Sequence, residues 1–98
     1  MAMVIRLTWH GITPAQYEQA RERVGWERDV PPGGVCHVAW FTPEGLNIVN
    51  VWDNAEEFRH FAEERLMPVV KGVLGFAGEP EVSLHEAQAV FILPHAQE

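Results

Sequence analysis

Leu46 to Leu66, LNIVNVWDNAEEFRHFAEERL, changes character halfway along, and that change decides the fold. The first half reads as a strand, because Ile48, Val49 and Val51 are β-branched and lie between the turn signal Pro43-Glu44-Gly45 and the polar pair Asp53-Asn54. The second half reads as a helix. Asn54 and Glu57 have the spacing of a capping box, in which each side chain satisfies the other's backbone N–H, and Phe58, Phe61, Ala62, Arg65 and Leu66 recur at helical intervals. Trp52 stands at the junction.

Upstream, Met3, Ile5, Leu7 and Trp9 alternate with Val4, Arg6, Thr8 and His10, which predicts a first strand with one strongly apolar face, ended by Gly11. Thr13-Pro14-Ala15-Gln16 then opens a helix: Thr13 caps it, Pro14 takes the first helical position, and Gln16 completes the box. Tyr17, Ala20, Val24 and Arg21 form its inner stripe. Gly25 to Gly34, GWERDVPPGG, is a loop by composition. A large aromatic in such a loop plugs something, so Trp26 belongs to a core edge, a dimer seam or a ligand site. Val35 to Thr42 is a second strand, joined to the third as a hairpin. On it His37, Ala39 and Phe41 share one face, and Cys36, Val38 and Trp40 the other. On the third strand Ile48, Asn50 and Trp52 oppose Asn47, Val49 and Val51.

Downstream, the second helix runs from Ala55 to about Leu66. Pro68 lacks an N–H and disfavours helix at Met67, so Val69 to Leu74 is expected as a kinked extra turn. Glu81 to Glu86 reads as a fourth strand, Ala89 to Leu93 as its continuation or as an arm reaching onto a partner, and Pro94 to Glu98 as a frayed tail.

The order strand, helix, strand, strand, helix, strand predicts an α+β, ferredoxin-like βαββαβ domain over residues 1–98, with a four-stranded antiparallel sheet. Two helices cover one face of such a sheet. The strands here are apolar on both faces, and 47% of the 98 residues are hydrophobic, four of them Trp, so a second copy is the expected cover and the expected assembly is a homodimeric α/β barrel.

Seven Lys and Arg against fourteen Asp and Glu leave a net charge of −7, with no basic run, which argues against nucleic acid and anionic membrane as partners. No apolar run reaches the roughly 20 residues of a spanning helix, and MAMVIRLTWHG reads as a strand rather than a signal peptide, so a cytoplasmic location is expected. Cys36 is the single cysteine, which excludes an internal disulfide and a thiolate metal cluster; it reads as a small strand hydrophobe.

Val51-Trp52-Asp53-Asn54, followed by Glu56, Glu57, Phe58 and Phe61, resembles the "VW-x-S-E-E-x-F-x-x-F" segment of the antibiotic-biosynthesis-monooxygenase-like group of dimeric α/β barrels. The motif covers about fifteen residues, while the element order matches over most of the chain. The resemblance implies a small-molecule-binding barrel and, as its activity, cofactor-independent monooxygenation of an aromatic or quinol-type substrate. Haem-degrading members carry a Trp on the second helix and, ten residues on, the His that ligates haem. Phe61 and Lys71 occupy those places here, which argues against haem chemistry, and no cofactor is expected.

Three polar residues are candidates for chemistry. His10 follows the first strand beside Trp9, and a neutral imidazole against an aromatic wall can take a proton from a phenol or enol; a turn-capping His is the plain alternative. His37, on an apolar face, is a base or a satisfied interior His. Asn50 can orient a substrate carbonyl or O₂, or serve a neighbouring backbone group. Trp9, Trp40, Trp52 and Phe61 are the expected cavity walls, and Arg6, unusual inside a strand, is expected to anchor a carboxylate or to pair across the barrel with Glu81 or Glu86. His60 lies four residues from both Glu56 and Glu64, a spacing that suits a solvated ion-pair stripe better than a metal site. The rival to an enzyme is a non-catalytic binding or assembly module on the same scaffold.

Overall fold

A computed structural model describes residues 1–94; residues 95–98 of the expected tail lie outside the described residues. The elements are β1 (Met3–His10), α1 (Pro14–Val24), β2 (Gly34–Thr42), β3 (Gly45–Trp52), α2 (Ala55–Phe61) and β4 (Glu81–Glu86). All strand pairs are antiparallel, in the order β2-β3-β1-β4. This is the ferredoxin-like α+β arrangement, and the β1–α1–β2 and β3–α2–β4 crossovers put both helical segments on one face.

Register fixes that face. Ile5 lies opposite Asn50 and Leu84, Leu7 opposite Ile48 and Val82, and Trp9 opposite Leu46, while His37, Ala39 and Phe41 of β2 continue the rows through Asn50, Ile48 and Leu46. Buried side chains form two clusters. Leu7, Trp9, Ile12, Ala20, Leu46, Val70 and Phe76 make the larger one, and Ile5, Trp52 and Phe58 the smaller. Trp52 joins β3 to α2 by edge packing on Phe58, 5.8 Å between ring centroids, and by contact with Phe61 at 5.3 Å.

The helix starts follow their capping residues, with one difference. Thr13 and Gln16 form both bonds of the box on α1. On α2 the Asn54 side chain accepts the Glu57 N–H at 2.9 Å, but the return bond is not formed among the described residues. The Glu57 stem packs instead on Gly33, where a Cβ would stand 2.6 Å from the Glu57 Cβ. Arg21, expected on the inner stripe, is exposed and pairs with Glu18 and Glu27.

The extra turn expected over Val69 to Leu74 forms, and Met67 does not interrupt the helical run. Regular α geometry ends earlier, at Phe61, and the chain continues through π-helical turns over Ala62–Leu66 and Pro68–Val73, with Met67 itself helical at φ −64° and ψ −38°. The wider turn carries hydrogen bonds five residues apart, such as Met67 N–H to Ala62 O, and it relieves the clash of the Pro68 ring with the preceding turn. β4 does not continue: Ala87 N–H bonds Ala2 O at 2.9 Å, and Ala89 to Leu93 is then exposed without regular structure.

The other face of the sheet has no helix over it among the described residues. Val38 is 57% exposed and Trp40 42%. No helix among the described residues is long and apolar enough to cross a membrane.

Candidate active site

The two core clusters do not meet along their whole length. Between sheet and helices a cavity of about 410 Å³ is lined from both sides, by Leu7, Trp9, Leu46 and Val70 of the larger cluster and by Trp52 and Phe58 of the smaller. That volume lies within the range of small-molecule sites, roughly 300 to 1,000 Å³. Phe61, Leu66 and Phe76 extend the apolar wall.

Few polar groups face it. Asn50 is centred on β3, and Trp52 Nε1–H donates to its Oδ1 at 2.9 Å. Because an indole N–H only donates, this bond fixes which end of the carboxamide is oxygen. The Nδ2 donors have no partner among the described residues and remain for a ligand. The next residue along that row of the sheet, His37, pairs with Asn50 across β2 and β3. Its Nε2 lies 2.8 Å from Tyr17 Oη, with the two rings nearly parallel at 11°, and Trp26 closes over it at 5.2 Å between centroids.

Electrostatics sets the protonation of this group. The His37 side chain is still reached by water, but partial desolvation beside the Tyr17 and Trp26 rings holds its pKa below the ordinary histidine value, against the opposing pull of the Glu27 carboxylate. Burial likewise raises the Tyr17 phenol above 10. Glu27, hydrogen-bonded and ion-paired to Arg21, is held below the usual carboxylate range. Near neutrality the centre is therefore a neutral imidazole, a neutral phenol and a carboxylate.

Tyr17, Trp26, Glu27 and His37 also line a second, outer cleft between α1 and the β2 edge, of about 470 Å³. They form a partition with the interior cavity on one side and solvent on the other.

Of the residues singled out from sequence, His37, Asn50, Trp9, Trp52 and Phe61 are brought together on this cavity. His10, Arg6 and Trp40 are not. Strand alternation sends all three to the uncovered face, where each is exposed, and Arg6 makes no ion pair with Glu81 or Glu86 among the described residues. Tyr17 and Glu27 were not anticipated at a site. A phenol on an inner helix stripe needs a polar partner, which was a signal for Tyr17, but two apolar strand faces did not single out His37 as that partner. Trp26 lines both the interior cavity and the outer cleft. Cys36 is exposed rather than packed inside. Lys71 holds the carbonyls of Phe76 and Gly78 and the Glu79 carboxylate. His60 is exposed, and no three His, Cys, Asp or Glu side chains cluster as metal ligands among the described residues.

No protein-family model and no curated protein sequence matches the chain. Solved structures do. SnoaB, a cofactor-independent oxygenase from Streptomyces nogalater, superposes with a TM-score of 0.60 at 22% identity, covering 91% of this chain and 93% of that one. The monooxygenase ActVA-Orf6 of Streptomyces coelicolor, in complex with nanaomycin D, gives 0.54 at 19% identity, over 96% and 92%. A conserved protein from Methanosarcina mazei Go1 gives 0.59 at 12% identity, over 89% and 92%. At these identities the likeness establishes a shared fold, and the fold is the one that the Val51-Trp52 segment implied.

Proposed function

We propose that this chain, which has the fold of the antibiotic biosynthesis monooxygenases, is a cofactor-independent monooxygenase acting on an aromatic or quinol-type substrate. The observation that carries this reading is the apolar cavity with a neutral imidazole and an unclaimed amide donor side by side on neighbouring strands. Trp9, Trp52 and Phe61 receive a flat ring system. The His37 centre takes the acidic proton of a phenol or enol, and Asn50 Nδ2 donates to the oxygen on which charge develops.

The electron-rich carbon of the resulting anion reacts with O₂. A C–O bond forms, the O–O bond then breaks, one oxygen stays as a carbonyl and the other leaves as water, so a methylene oxidised by four electrons matches O₂ reduced by four. The protein's part is to remove the first proton, hold the anion and keep bulk water from the ring.

The test is oxygen uptake with hydroquinones and anthrone-type substrates. Asn50→Ala and His37→Ala are each expected to lower turnover by roughly 100-fold, with the fold retained by circular dichroism. Absence of uptake by the unmutated protein would remove the enzyme reading and leave the rival, a binding module. We propose further that the working unit is a homodimer, in which a second copy covers the exposed Val38 and Trp40 face.

A further inference from the structure

We propose that Tyr17, rather than His37, is the group that meets the substrate's acidic O–H, and that it relays the proton to His37 Nε2 behind it. This deepens the monooxygenase reading above and rests on it.

The argument is one of lone pairs. Tyr17 Oη and His37 Nε2 are 2.8 Å apart, and a phenol is the far better donor to an imidazole nitrogen than the reverse when both are neutral. With Tyr17 donating, Nε2 is an acceptor and the ring proton of neutral His37 sits on Nδ1. Neither ring nitrogen then offers a free lone pair to a ligand, so His37 cannot take a proton from a substrate directly. Tyr17 Oη keeps lone pairs free, and Tyr17 lines the cavity.

The transfer balances without another reagent. The substrate O–H bond breaks as its proton binds Tyr17 Oη, and the Tyr17 O–H bond breaks as that proton binds Nε2. The products are a substrate anion, a neutral Tyr17 and an imidazolium. The charged groups around His37 are Glu18 and Arg21 of α1 and Glu27 of the loop; β3 presents the neutral Asn50. Of these, Glu27 favours the imidazolium. The outer cleft touches the same four residues, Tyr17, Trp26, Glu27 and His37, so the proton leaves on the solvent side without re-entering the cavity.

The test has two independent arms on the full-length protein. ¹⁵N resonances of the His37 ring, assigned by comparison with His37→Gln and read above the titration of the ring, are expected to show an unprotonated Nε2 and a protonated Nδ1. In Tyr17→Phe this preference is expected to disappear, and the phenyl ring keeps the stacking. Oxygen-uptake kinetics of Tyr17→Phe are expected to show kcat lowered by roughly 100-fold with KM within about threefold. A protonated Nε2 in the unmutated protein overturns the relay. So does a Tyr17→Phe variant with unchanged kcat beside an inactive His37→Ala, which would make His37 the direct base. If the unmutated protein consumes no oxygen although Nε2 is unprotonated, the monooxygenase reading itself has failed and takes the relay with it.

Discussion

At the scale of single residues, the Trp52–Asn50 hydrogen bond separates packing from chemistry. Trp52→Phe keeps an aromatic ring on Phe58 and Phe61 but removes the N–H that fixes the Asn50 amide. The loss of stability is expected to stay below about 2 kcal/mol, smaller than the 3 to 5 kcal/mol of truncating a buried Trp to Ala. Turnover is expected to fall about tenfold or more, because the freed amide samples both orientations. Denaturant midpoints and oxygen uptake on the same preparation check the two parts. His37 gives a pH signature. Its folded pKa lies below its unfolded one, so the unfolded chain binds more protons as pH falls through about 6.5. Its contribution to stability is therefore complete above that value and is lost on acidification down to the folded pKa. The acid limb of turnover is expected below 6.5, and Glu27→Gln, which removes the charge favouring the imidazolium, is expected to move that limb lower still. Alternation grouped Asn50 with Ile48 and Trp52, and His37 with Ala39 and Phe41, but with both faces apolar it did not say which face the helices cover; register and burial do. His10, Arg6 and Trp40 obey the same alternation, and their parity sends them to the other face. Their chemistry suggested a site that their positions do not support.

At the scale of elements, the loop between α1 and β2 does more than connect. It carries Trp26 and Glu27 to the partition and is tied at both ends. Arg65 Nη2 donates to Val24 O at 3.1 Å, Arg28 Nη2 to Glu22 O at 2.7 Å, and Asp53 N–H to Gly33 O at 2.8 Å. Gly33 has φ +84° and lies against Glu57, so an added Cβ is both strained and in collision. Gly33→Ala is expected to destabilise the fold by about 1 to 3 kcal/mol and to raise KM more than it lowers kcat, since it displaces the loop rather than the acid–base pair. Thermal unfolding and steady-state kinetics distinguish this from global loss of structure. The ends of this loop could be read from Gly25 and the Pro-Pro-Gly-Gly run. Its role could not, because the contact of Gly33 with Glu57 joins residues 24 positions apart and leaves no local pattern. The π-helical run has the same origin. Pro68 marked a disturbance, but whether the chain breaks or widens depends on the packing of Val70, which is only 2% exposed in the core and holds the segment against the sheet.

At the scale of the whole molecule, the sheet is asymmetric in a way that its sequence is not. Both faces carry β-branched and aromatic residues, yet both helical layers lie on one of them, and Val38 and Trp40 remain open to water on the other. Exposed apolar area of this kind disfavours the isolated chain by about 25 cal/mol for each Å² left wet, which is the driving force for a second copy to cover it. A two-fold dimer brings the same patch of each copy together, so one substitution acts twice in each interface. Val38→Asp therefore places two carboxylates in the seam. Sedimentation at micromolar concentration is expected to show a dimer for the unmutated protein and a monomer for Val38→Asp. Val38 is on the opposite side of β2 from His37, so the cavity's own residues are untouched. If the monomeric variant keeps its ligand affinity but loses turnover, pairing acts on the chemistry by stiffening the sheet under Asn50 and His37; if it keeps both, each chain is a complete site and pairing serves stability alone. Sedimentation of the unmutated protein as a monomer, with Val38 and Trp40 wet, would instead mean that the sheet tolerates its open face, and the barrel would have to be given up while the cavity on the helix side stood unchanged.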